Sequence, residues 1–202
     1  MKKNTFRLLL IFFIFFAVGA ATSIVSATIA ADTDVSTNGT LVYACTGAGT
    51  PITVNNVAFA AGFAPAVTIS GVLTSTPNSY GGGASAPWSG LSTNYQTALQ
   101  SGIYTGTNTT LTVTLNCLTP GHSYSVQLWV NDSRSGATAG RTENVSSAGG
   151  NSVTLAYNTS QAQGGVGQFT IVTFTADAAR QLLTLSGALS GRLMSGSIGL
   201  EC

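Results

Sequence analysis

After residue 3 the chain contains no lysine, and after residue 7 its basic residues are four arginines set against six carboxylates. Neutralising a phosphate backbone takes a concentrated patch of Lys and Arg, and Arg134, Arg141, Arg180 and Arg192 are scattered, so nucleic acid is not an expected partner. Histidine is nearly absent too. The one copy, His122, follows Thr119-Pro120-Gly121 in a tight turn, where a solvated ring is expected rather than the base of a Ser-His-Asp or Cys-His set.

The three cysteines, Cys45, Cys117 and Cys202, are far apart and form no CxxC spacing, which argues against a zinc or redox motif. Carboxylates are as scarce. Glycoside hydrolysis takes two of them flanking one bond. Asp32 and Asp34 lie near one end and Glu201 near the other, and no spacing marks Asp132, Glu143 and Asp177 as a pair. No enzyme is therefore expected, no metal site is expected, and no cofactor either, with a structural calcium on loop carboxylates the one exception left open.

Lys2, Lys3 and Arg7 precede an apolar run from Leu8 to about Ala21, the pattern of a secretory signal peptide. Small residues follow. Val25-Ser26-Ala27 and Thr28-Ile29-Ala30 both have small-x-small spacing, which starts the mature chain between Thr28 and Asp32 and gives a leader over 1–31 and one domain over 32–202. The alternative is an uncleaved anchor, since the 24 residues from 8 to 31 carry no charge and a bilayer core of about 30 Å needs about 20. The leader predicts a secreted or cell-surface protein, without membrane association beyond that segment, in a compartment that permits disulfides.

Beyond residue 32 short alternating runs are separated by Gly, Asn, Ser and Pro, the period-2 pattern of half-buried strands. Strands are expected over 40–45, 51–59, 66–73, 109–117, 123–131, 140–146, 152–157, 167–175, 181–186 and 192–200. With one short helix expected within Leu91–Ser101, the class is all-β, an antiparallel sandwich or barrel. Leu111, Val113, Leu115 and Cys117 share one face by alternation, as do Leu41, Tyr43 and Cys45, so Cys45 and Cys117 are the candidate disulfide. Buried thiols acting as small hydrophobes are the equal alternative. The turn at 119–122 predicts that 109–131 is a hairpin.

In the second arm of that hairpin Tyr124, Val126, Leu128 and Val130 form the apolar face, leaving Trp129 among Ser123, Ser125, Gln127 and Asn131. Asp132, Arg134 and Arg141 follow closely. An aromatic ring can stack on the apolar side of a sugar while Arg and Asp bond its hydroxyls, so Trp129, Asp132, Arg134 and Arg141 are candidate ligand contacts. Trp88 and Tyr80, flanking the glycine-rich stretch 81–83, form a second candidate aromatic group. Core-capping rings and a loop ion pair are the simpler readings of the same residues.

The stretches DTDVSTNGTLVYA, VNNVAFAAG, YGGGASAPWSGLSTNYQTAL and GQFTIVTFTADAARQLLTLSG resemble an uncharacterised family of secreted bacterial β-sandwich domains found in surface and autotransporter-like proteins. The segment LTPGHSYSVQL, residues 118–128, is more loosely similar to malectin-like and galactose-binding-like domains. The chain departs from the pattern at its end, LMSGSIGLEC. The resemblance implies a jelly-roll sandwich and, by analogy, carbohydrate binding. The leading expectation is a non-enzymatic surface module with glycans or other surface proteins as partners. A self-assembling structural or adhesive subunit is the first alternative, and a polysaccharide hydrolase or lyase the second.

Overall fold

The structure is a computed structural model and describes residues 21–46, 50–63, 66–71, 74–76, 88–104, 110–131, 141–158, 166–188, 194–195 and 197–201. In chain order the elements are β1 (Ser23–Thr28), β2 (Leu41–Thr46), β3 (Ile52–Val54), β4 (Val57–Ala61), β5 (Val67–Ser70), β6 (Thr74–Thr76), helix α1 (Thr93–Gln100) and β7 (Gly102–Tyr104). Then follow β8 (Thr110–Leu115), β9 (Ser123–Val130), β10 (Arg141–Ser147), β11 (Ser152–Asn158), β12 (Gln168–Thr175), β13 (Gln181–Ala188), β14 (Met194–Ser195) and β15 (Ser197–Glu201). None of the described helices is long and apolar enough to cross a membrane.

The strands form a large sheet, ordered β1-β12-β9-β15-β2-β4-β3, and a smaller one, ordered β11-β10-β13-β8-β5. The two pack face to face as a β-sandwich, with β14, β7 and β6 in a separate three-stranded sheet. Alternation builds the interface. In β8 Leu111, Val113 and Leu115 are fully buried while the intervening threonines stay half-exposed, and β-branched Thr suits such a pleated outer surface. They meet Val126, Leu128 and Val130 of β9 and Val172 and Phe174 of β12. Each such side chain contributes about 1.5–3 kcal/mol by leaving water.

The turn at 119–122 forms, with His122 N–H donating to the Thr119 carbonyl at 3.1 Å and Gly121 at a φ of 86°. It does not close a hairpin. β8 pairs with β13 and β5 in the smaller sheet, whereas β9 pairs with β12 and β15 in the large one, so the turn carries the chain from one layer to the other. The run expected over 51–59 is itself a hairpin, folded at Asn55 and Asn56, which both take positive φ.

Ser23–Thr28, assigned from composition to the end of a leader, are a strand. β1 pairs antiparallel with β12 from Ser23↔Thr173 to Thr28↔Gln168, and Ile24 and Ile29 are buried. This strand lies ahead of the expected boundary at 31/32. The missed signal is weak because Ser, Ala and Thr suit a cleavage region as well as an edge strand.

The expected inward Cys117 is also corrected. β8 ends at Leu115, and Cys117 takes a φ of 60° that breaks the alternation and leaves its side chain exposed. Cys45 is fully buried in the inter-sheet core. The two are not bridged to each other.

Candidate functional site

Trp129 sits on the side of β9 that alternation predicts, away from the inter-sheet core, but that side is not solvent. A second apolar cluster covers it, built from α1, the β3–β4 hairpin and the segment around Trp88. Ser92 caps α1, its Oγ accepting from Tyr95 N–H at 3.1 Å, and Tyr95, Ala98 and Leu99 at i, i+3, i+4 spacing face the sheet. Trp129 is 1% exposed, edge-on to Phe59 with ring centroids 6.0 Å apart and stacked on Phe169 at 6.1 Å. Its Nε1 donates to the Tyr95 hydroxyl at 2.9 Å. Trp88 is fully buried as well and donates to the Val166 carbonyl at 2.9 Å. Neither ring offers a face to a ligand in solution.

The other candidates do not gather around these rings. Arg141 is half-buried at the start of β10, in the smaller sheet, and so lies in a different layer from Trp129. Asp132, Arg134 and Tyr80 lie outside the described residues. Of the carboxylates weighed for hydrolysis, Glu143 is fully buried opposite Gly187 of β13, while Asp177 is exposed before that strand begins at Gln181. Six residues of strand span about 20 Å, more than the roughly 5–9.5 Å between paired catalytic carboxyls. Among the described residues no three His, Cys, Asp or Glu side chains come together as a metal-ligand group.

A cleft of about 530 Å³ opens further along the same outer face of the large sheet. Its floor is two paired strands: Ser123, Ser125 and Gln127 of β9 lie opposite Thr175, Thr173 and Ile171 of β12. Ser36, Asn38 and Gly39 form one wall, and Ala21 contributes to the lining just ahead of β1. The lining carries hydroxyls, amides and apolar carbons, and no charged side chain.

The wall is held in place from below. Gln127 is buried and spans the gap with both ends of its amide, its Oε1 accepting from Ser36 N–H at 2.9 Å and its Nε2 donating to the Asp34 carbonyl at 2.9 Å. Asn55 Nδ2 donates to the Val35 carbonyl at 2.7 Å. The Asp34 carboxylate accepts from the backbone N–H groups of Ala30 and Ala31 at 2.7 and 3.0 Å and from the Tyr95 hydroxyl at 3.4 Å. Burial pushes the Tyr95 hydroxyl far above its ordinary value, and the negative charge of Asp34 adds to the shift. The cleft wall and the cluster around Trp129 thus share one hydrogen-bonded chain, Trp129 to Tyr95 to Asp34.

No family model matches this chain, and no curated protein matches it. Solved structures do. The chain is similar to a family GH115 4-O-methyl-alpha-glucuronidase with specificity for decorated arabinogalactans, at 14% identity over 73% of this chain and 20% of that one, with a TM-score of 0.38. It is also similar to an exo-beta-1,3-galactanase from Phanerochaete chrysosporium with beta-1,3-galactotriose, at 17% identity over 74% of this chain and 32% of that one, with a TM-score of 0.35. The same galactanase with galactose gives 18% identity and a TM-score of 0.33. These neighbours are carbohydrate-active enzymes, and the chain spans between a fifth and a third of their length. At these scores the likeness decides neither ligand nor activity.

Proposed function

We propose that this chain is an exported, non-enzymatic surface module that binds a short neutral carbohydrate in the cleft on the outer face of its large sheet. The observation that carries the reading is the lining: an uncharged floor that presents the hydroxyls of Ser123, Ser125, Thr173 and Thr175, with Tyr124, Ile171 and Phe174 as apolar contacts. A sugar presents several hydroxyl donors and acceptors around an apolar ring, and such a floor answers both features without fixed charge. The volume falls within the range of small-ligand sites, roughly 300–1,000 Å³. Two hydrogen-bonded strands with a pinned wall keep the groups in position before the ligand arrives, which reduces the ordering cost of binding.

Ser125 and Thr173 face each other across the floor in register, so they are the pair to alter. A glycan array is probed with the protein and with a Ser125→Ala/Thr173→Val double variant, which removes two hydroxyls without adding bulk. Two neutral hydrogen bonds at about 0.5–1.5 kcal/mol each correspond to a loss of roughly 5- to 150-fold in affinity. Thr114→Val, on the smaller sheet, is the control and leaves binding unchanged. An array on which the protein binds nothing, or binding indifferent to the double variant, refutes the cleft as a glycan site.

A further inference from the structure

Residues 22–31 are built into the domain by contacts from several directions, not merely laid along its edge. On one side β1 pairs with β12 over all six of its residues. On the other, the side chain of Asn151 clamps the backbone of Ile24, its Oδ1 accepting from the Ile24 N–H at 2.7 Å and its Nδ2 donating to the Ile24 carbonyl at 2.8 Å. Thr22 is buried against Gly150, where a Cβ would come within 2.6 Å of the Thr22 carbonyl oxygen, so only glycine admits the strand at that approach. Ile24 packs into the inter-sheet core and Ile29 into the cluster beneath α1. Ile29 N–H donates to the Gly167 carbonyl at 3.2 Å, and Asp34 holds the next two amides.

Cleavage after Ala27 or Ala30 would remove most of this. Asn151 would lose both of its Ile24 partners, β12 would become an edge and Ile24 would leave a cavity in the inter-sheet core, with Ile29 lost as well when the cut follows Ala30. The small-x-small pattern also occurs upstream, at Val18-Gly19-Ala20 and Gly19-Ala20-Ala21. Cleavage after either triplet leaves an apolar run from Leu8 to Val18, eleven residues, inside the 7–15 typical of a leader's hydrophobic region.

We infer that the export leader is processed at the Ala20–Ala21 or Ala21–Thr22 bond, and that Ser23–Thr28 is a permanent edge strand of the mature domain. The step is hydrolysis by the host's leader peptidase: water adds across one peptide bond, leaving a carboxylate on the leader and a free amine on Ala21 or Thr22. The inference rests on the leader reading and on β1 and not on the ligand proposed above, although Ala21 lines the cleft and the new N-terminus lies at its edge.

The test expresses the whole chain, residues 1–202, in a bacterial host with general secretory export, then determines the intact mass and N-terminal sequence of the exported protein. The expected first residue is Ala21 or Thr22. A first residue at Ser23 or beyond, or a chain that retains Met1, overturns the inference. An Ala27→Leu/Ala30→Leu variant, made in the same host, removes the small residue required just before both downstream bonds. It is processed to the same N-terminus as the parent if the inference holds, and accumulates as unprocessed precursor if it does not. Precursor and product differ in mass whether or not the variant folds, so the result does not depend on stability.

Discussion

The two apolar clusters lie on opposite faces of the same large sheet and are held together differently. The inter-sheet core is made by alternation: Leu111, Val113, Leu115, Val126, Leu128, Leu183 and Leu185 interdigitate with no exposure and little polarity. The outer cluster joins a helix, a hairpin and a loop segment to the sheet, and its large rings carry polar atoms that must be satisfied. Trp129 donates to Tyr95, Trp88 to the Val166 carbonyl, and Gln96 Nε2 to the Trp88 and Leu91 carbonyls at 3.1 and 2.8 Å. Shape complementarity suffices where two sheets meet. Where irregular chain is fastened to a sheet, directional bonds fix the position.

The contrast is broken most severely by Trp129→Ala, which empties the centre of the outer cluster and leaves the Tyr95 hydroxyl without its donor. A loss of about 3–5 kcal/mol is expected in urea unfolding. Leu111→Ala, its counterpart in the inter-sheet core, costs about 2–5 kcal/mol. The sharper comparison removes shape from one cluster and polarity from the other. Tyr95→Phe keeps the ring but strands Trp129 Nε1, at about 1–3 kcal/mol, whereas Leu111→Met, nearly equal in volume, costs less than about 1.5 kcal/mol. If Leu111→Met proves the more damaging of the two, the distinction between the clusters fails.

Smaller effects follow from the same contacts. The Tyr95 proton is held more tightly in the folded than in the unfolded chain, whose tyrosines titrate near pH 10. Below that pH both states keep the proton and stability is unaffected. Above it the unfolded state releases the proton first, so the melting temperature falls as pH rises beyond about 10. In Tyr95→Phe this part of the alkaline decline is absent. Ser92→Ala removes the helix cap and costs about 0.5–2 kcal/mol, read as a shift in the urea midpoint at constant slope.

Much of the secondary structure is legible because a strand half buried in a sheet writes its exposure into consecutive residues. TLTVTL over 110–115 and SYSVQLWV over 123–130 mark their strands, and LSTNYQTALQS over 91–101 departs from that pattern where the helix forms. The candidate site was far less legible. Alternation put Trp129 opposite the inter-sheet core, but whether that face meets water depends on α1, which arrives from 30 residues earlier. The cleft floor was already present as Ser123, Ser125 and Gln127 on one strand and Ile171, Thr173 and Thr175 on another, without any local sign that the two are neighbours.

What this sequence determined by itself was the all-β class, the position of most strands, the turn at 119–122 and the shortage of charge, because each is set by residues within a few positions of one another. Tertiary structure alone decided that β8 and β9 belong to different sheets, that Trp129 is roofed over, that Cys117 turns outward, and that Ser23–Thr28 is a strand. Strand pairing joins residues more than a hundred positions apart through backbone groups common to every amino acid. Those groups carry no local signature, so the partner is chosen only when the whole chain must bury its apolar faces together.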